Sequence, residues 1–333
     1  FYAFLYAWFS IKKGGTMSMR TNTHKKLSPS KKQETISSLY DTFLKIKKAQ
    51  GIKKETLNSY AEALQAINKY QDIGKLSLSN LDAETYYLII NKMIDANLSP
   101  NSIHSYTATF RTFLNWCKDS GYQCISIVPY KKQEVVKTPY TDAELKLLLK
   151  KPNVKKCTFA EYRTWVIENL LINCGCRAAT VRNFLVEDVD LDGRTIFARH
   201  MKNGKPQPLP LCSEMVNILQ EYLTYREGTP EDYLFPNETN EQMTINGLRC
   251  SIQRYNLNRG VSKTSTHLFR HTFAKKYLID CGGDAFTLQK ILGHSTLDMT
   301  KHYCAIYNSD LTKNFDKLSP LSQMSSRRIS MKK

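Results

Sequence analysis

Thr266-His267-Leu268-Phe269-Arg270-His271-Thr272-Phe273-Ala274 opens a helically periodic run that Cys281-Gly282-Gly283 ends, and Leu292-Gly293-His294-Ser295 and Thr300-Lys301-His302-Tyr303 follow it. His267 and Arg270 stand three apart at a helix start, so both side chains project from one face and can hold a phosphate there. Taken alone, His-x-x-Arg is equally well a solvated helix face. Order and spacing add information: His294 lies behind the pair, and Tyr303 lies nine residues beyond His294. Short helices are expected at 285–292 and 297–304, broken at Gly293.

Upstream of this stretch the pattern alternates between two periods. Thr141-Asp142-Ala143-Glu144 has the spacing of a capping box, and Thr158 to Glu161 repeats the device before Trp165, Ile167 and Leu170-Leu171. Thr195-Ile196-Phe197 and Gln207-Pro208-Leu209-Pro210-Leu211 then flank Lys202-Asn203-Gly204-Lys205. Asn-Gly between extended runs predicts a tight hairpin, since both residues tolerate positive φ, and it places Lys202 at the turn. Helical periodicity returns at 215–225, 244–256 and 267–280. Residues 140–315 therefore read as a mixed domain.

Further out, Ile36, Leu39, Tyr40, Phe43 and Ile46 recur at helical steps, and Leu57, Tyr60, Ala61, Leu64 and Ile67 repeat the pattern. Residues 82–96 fit a third helix. Ser99-Pro100 supplies an N-cap and a first-turn proline for a fourth, which carries Ile103, Tyr106, Phe110, Phe113 and Cys117 on one side. These aromatics fall on the buried stripe and read as core. Residues 34–121 form an all-helical module, 122–139 a linker with two prolines and no sustained period, 1–33 a basic extension read as disordered, and 316–333 a basic tail. The fold class is mainly α with a small β-sheet (α+β).

Lysine plus arginine number 48 against 30 acidic residues, a formal charge of +18. Such an excess suits a polyanionic partner, either nucleic acid or an anionic membrane surface. The apolar run from Phe1 to Ser10 is far shorter than the ~20 residues of a membrane span, and the lysines follow it where a secretory signal would carry them first. Residues 1–16 read as upstream sequence or an irregular start and are left out of the fold reading. The nine cysteines show no C-x-x-C pair and read as reduced thiols of a cytosolic protein, with Cys174 and Cys176 as small packing residues. There is no P-loop and no carboxylate cluster, so neither a nucleotide nor a metal cofactor is expected.

The motifs around His267, Arg270, His294 and Tyr303 resemble those of the tyrosine recombinases, the phage-integrase and Xer-like enzymes. Asn173-Cys174-Gly175-Cys176-Arg177 resembles the family's T-G-x-R motif and its first arginine, and Lys202 fits its β-hairpin lysine. The likeness is long over 140–315, and 34–121 matches the family's core-binding domain in position and size. Two positions depart. Thr180 stands where the family has a glutamate three residues after the first arginine, and Phe269 replaces a leucine. Asp188 keeps an expected acidic position and reads as structural.

The resemblance implies that Tyr303 attacks a phosphodiester while Arg177, Lys202, His267, Arg270 and His294 surround the phosphate. The residue types suit that task. Phosphoryl transfer gathers charge on nonbridging oxygens, and two guanidiniums that stay protonated and bind in forks meet it. His294 adds a hydrogen bond, His267 exchanges a proton near neutral pH, and Lys202 protonates the leaving 5′ oxygen. The implied partners are double-stranded DNA, closed upon by the two domains, and further copies of the chain, a tetramer at synapsis, with an accessory directionality factor possible and no membrane. Three functions follow: integration or excision of a mobile element, resolution of replicon dimers, or DNA-binding regulation on a non-catalytic scaffold. The first is preferred. A type IB topoisomerase shares the chemistry but fits the motifs less well.

Overall fold

The computed structural model describes residues 34–133, 138–199, 201, 205–296, 300, 319 and 321–322, which fall into two compact units dividing between residues 134 and 135. The expectations placed on the N-terminal extension, the Asn203-Gly204 turn, the helix at 297–304 and the basic tail lie outside these residues.

The first unit is built from α1 (Ile36–Ala49), α2 (Lys54–Tyr70), α3 (Ala83–Asp95) and α4 (Pro100–Asp119), with a single 3-10 turn at Leu78–Asn80. Each start has a local cause. Thr35, Asp82 and Ser99 accept backbone N–H bonds at the heads of α1, α3 and α4, and Pro100 occupies the first turn of α4, where its missing donor costs nothing. Tyr40, Phe43 and Phe113 pack ring against ring at 4.7–5.7 Å between centroids, with Trp116 5.6 Å from Phe43. The aromatics of α1 and α4 are thus core.

The stretch after Gly121 has no helix or strand up to residue 133, yet its first part is not a loose linker. Ile127 is buried against the helices, Tyr86 donates its hydroxyl to the Val128 carbonyl at 2.8 Å, and the Tyr130 N–H reaches Thr107 Oγ1 at 3.0 Å. The apolar residues Cys124, Ile125 and Ile127 have no period because they line a cleft instead of a regular face.

The second unit centres on α6 (Phe159–Cys174), which packs against α8 (Ser213–Arg226), α9 (Ile245–Asn258) and α10 (Thr266–Lys275). A helix covered on every side should be apolar all round, and Trp165, Val166, Ile167, Leu170 and Leu171 are all buried. α5 (Asp142–Leu148) begins with the complete Thr141–Glu144 capping box. At α6 only half of the device forms. Thr158 accepts from the Glu161 N–H, but the Glu161 carboxylate turns to Arg259 at 3.2 Å. The sheet is an antiparallel meander of β1 (Val189–Asp190), β2 (Thr195–Ala198) and β3 (Gln207–Pro210), with Ile196 opposite Leu209 and Ala198 opposite Gln207. A short α7 (Ala178–Val181) precedes it, and α11 (Ala285–Leu292) closes the described part. The helix expected to run through residue 280 changes to a π-turn at Lys276–Asp280. Among the described residues no helix is long and apolar enough to cross a membrane.

α6 also buries Glu168, which is 0% exposed and has no hydrogen-bond partner on either carboxylate oxygen. Burial pushes its pKa well above the usual carboxylate range, and the charge of Arg259 only partly opposes this. The folded state therefore keeps a proton that the unfolded chain releases above about pH 4.3. Stability is fully present below that pH and is lost as pH rises toward the raised folded value. Glu168→Gln should remove the decline, so its melting temperature should exceed the native protein's at about pH 8 and approach it near about pH 4.

Candidate active site

The Leu292-Gly293-His294 corner sets the site. Gly293, at φ 62°, closes α11 in the left-handed conformation, its N–H bonding the Lys290 carbonyl while the His294 N–H bonds the Gln289 carbonyl. This Schellman arrangement fixes the direction in which His294 leaves the helix. Gly175 likewise closes α6 in the left-handed conformation at φ 59°, two residues before Arg177. A Cβ at Gly175 would fall inside the contact distance of Phe273 and Leu292. Gly175→Ala should therefore cost about 2–4 kcal/mol in urea unfolding, combining left-handed strain with overpacking.

Arg270 spans the two corners. Its Nη1 donates to the Gly175 carbonyl at 2.9 Å, and its Nη2 donates to the Leu292 carbonyl at 2.9 Å and meets His294 Nε2 at 2.6 Å. Arg270 is 1% exposed and His294 7%. A guanidinium only donates, so His294 Nε2 must accept, and the ring proton sits on Nδ1, which donates to Thr300 Oγ1 at 2.9 Å. His294 is thus neutral. Burial, followed by the charges of Arg270, Arg177 and His267, pushes its pKa down to about 4. In this arrangement His294 holds Arg270, and three of the five guanidinium N–H groups are engaged.

The structure brings together four of the six residues singled out in the sequence: Arg177 at the head of α7, His267 and Arg270 on α10, and His294 after α11. Lys202 and Tyr303 lie outside the described residues. The His267 ring stands edge-on to His271 at 4.9 Å. Thr180 is buried, with its hydroxyl 3.8 Å from Met201 Sδ. Asp188 accepts from the Leu185 N–H at 2.8 Å and pairs with Arg199 at 2.5 Å, which makes it a brace for the turn before β1. Phe269 is buried against Tyr140, with ring centroids 4.5 Å apart. Cys174 and Cys176 are both buried beside Gly175.

Some supporting residues were not singled out. Asn173 donates to the Pro210 carbonyl at 2.9 Å and accepts from the Cys212 N–H at 3.1 Å, tying β3 to the end of α6. Thr272 accepts from the Tyr140 N–H at 3.0 Å. Thr300, quoted only as part of a motif, is 0% exposed and sets the His294 tautomer. Its distance of six residues from His294 is the signal that was available.

The phage integrase family profile matches residues 140–309, and the phage integrase N-terminal SAM-like domain matches residues 39–121. A tyrosine recombinase of Pseudothermotoga lettingae is 26% identical over 256 residues, covering 76% of this chain and 85% of its own. The tyrosine recombinase XerC of Staphylococcus aureus is 27% identical over 242 residues, covering 70% and 78%. Among solved structures, a lambda integrase dimer bound to a core site superposes with TM-score 0.66 at 19% identity, covering 80% of this chain and 97% of that one. The Tn1549 transposon integrase in complex with transposon right-end DNA gives TM-score 0.66 at 19% identity, covering 81% and 94%. The chain belongs to the phage integrase family of tyrosine recombinases, enzymes that break and rejoin DNA.

Proposed function

We propose that this chain is a site-specific recombinase that cuts and rejoins double-stranded DNA through a 3′-phosphotyrosine link made by Tyr303. The observation that carries it is the proximity of Arg177, His267 and Arg270 to His294, whose pKa all three charges lower, with Arg270 anchored at both glycine corners. Arg177 and Arg270 neutralise the nonbridging oxygens as charge builds on phosphorus. The Tyr303 oxygen forms a bond to phosphorus and gives its proton to His267, while the bond from phosphorus to the 5′ oxygen breaks and that oxygen takes a proton from Lys202. Attack by a partner strand's 5′ hydroxyl reverses the steps. The phosphoester is exchanged and conserved, so the reaction needs no nucleotide cofactor.

Four copies acting on two duplexes complete strand exchange, and lambda integrase has been seen as a tetramer bound to a Holliday junction. For the substrate we favour the ends of a mobile element, as the phage and transposon integrases share this fold. A second reading, resolution of replicon dimers, is supported by the similarity to XerC. Nicked suicide DNA carrying either kind of site separates them. A detergent-stable, protease-sensitive adduct should form on the element ends; an adduct on the replicon site alone would reverse the preference, and none on either would remove the proposal.

A further inference from the structure

Lys202 lies in sequence between β2 and β3, and the outer of these two strands, β3, is fastened at both ends by side-chain amides. Asn173 holds the end at Pro210 and Cys212. At the end nearer the turn, Gln207 Nε2 donates to the carbonyls of Lys290 at 2.8 Å and Ile291 at 3.1 Å. Those carbonyls belong to the last turn of α11, where the Lys290 carbonyl also accepts from the Gly293 N–H. The next carbonyl along, Leu292, takes Arg270 Nη2, and two residues further is His294.

Backbone cannot supply this link. Pro206, Pro208 and Pro210 alternate with Gln207 and Leu209, so β3 has donors only at the two positions opposite Ala198 and Ile196 of β2, and its outer edge offers none. Attachment of that edge to α11 therefore falls to the Gln207 side chain. The geometry points to Gln207 as a positioning residue that registers the Lys202 hairpin against the α11 corner holding Arg270 and His294. It touches neither the phosphate nor the attacking oxygen. Its effect is on how often the Lys202 ammonium reaches the departing 5′ oxygen while the phosphate is clamped.

The inference rests on Lys202 as the proton donor, and one set of measurements tests both. Cleavage of nicked DNA is followed on the ordinary 5′-oxygen substrate and on a substrate with a bridging 5′ sulfur, whose thiol leaving group, with a pKa of ~8.5, departs without a proton. Gln207→Glu keeps the size of the side chain but replaces the donor with an anion facing two carbonyls; Gln207→Arg keeps a donor. Gln207→Glu should slow cleavage of the oxygen substrate by about tenfold to a hundredfold and come within about threefold of the native rate on the sulfur substrate, as Lys202→Ala should. Gln207→Arg should stay within about threefold on both.

If Lys202→Ala recovers on sulfur and Gln207→Glu does not, Gln207 serves the Arg270 corner or the fold at large, and the inference is overturned. If Lys202→Ala fails to recover, the proton-donor assignment falls and the inference with it. Native cleavage of the oxygen substrate by Gln207→Glu also overturns it.

Discussion

Tyr303→Phe should bind DNA within about threefold of the native protein and form no covalent adduct, a loss of at least about ten-thousandfold in cleavage. The substitution keeps the ring and removes one oxygen. That oxygen is the atom bonded to phosphorus in the intermediate, so nothing in the remaining site replaces it. A phenol with a pKa of ~10 is a poor nucleophile in water, and only the neighbouring cations make its phenolate accessible near neutral pH. Filter binding and denaturing gels on the same nicked DNA separate the two effects. An adduct that persists in Tyr303→Phe would move the nucleophile elsewhere, with Tyr307 the first position to test next.

Features with a local cause were legible in the sequence. The Thr141–Glu144 box, the Ser99-Pro100 start and the Gly293 stop each depend on residues within one helical turn, and all three form as their spacing predicts. The two strands were legible for the same reason, because alternating residues act at short range. What escaped depends on residues far apart in the chain. Glu161 left its capping role for Arg259, 98 residues away, and a charged partner outweighs the second half of a cap. Ile127 and Tyr130 read as linker because the cleft they fill exists only once α3 and α4 have packed. Gln207 gave no signal at all, since its role lies in contacts 83 and 84 residues away. His294 was singled out in the sequence, but not as a neutral group. Its state follows from Arg270 donating to Nε2, a pairing that only the folded chain reveals.

Arg270→Lys should reduce cleavage by about a hundredfold to a thousandfold, although the charge is kept. An ammonium is a point donor. It cannot reach Gly175, Leu292 and His294 together as the planar guanidinium does, so the corner loosens and the charge shifts from its place beside the phosphate. Arg270→Ala should go further and cost on the order of 3–5 kcal/mol of stability, because it strands two buried carbonyls and leaves a cavity beneath α11. His294 reports which of these happens. In Arg270→Ala the cation that faces the ring is gone while burial remains, so its pKa should rise from about 4 part of the way toward the usual 6.5. In Arg270→Lys the charge persists and the value should stay low. Titration of the ring by NMR, alongside the cleavage rate, thus separates loss of charge from loss of geometry. A Lys variant with native cleavage would mean that charge alone suffices at this position, and the two glycine corners would then serve the fold and not the reaction.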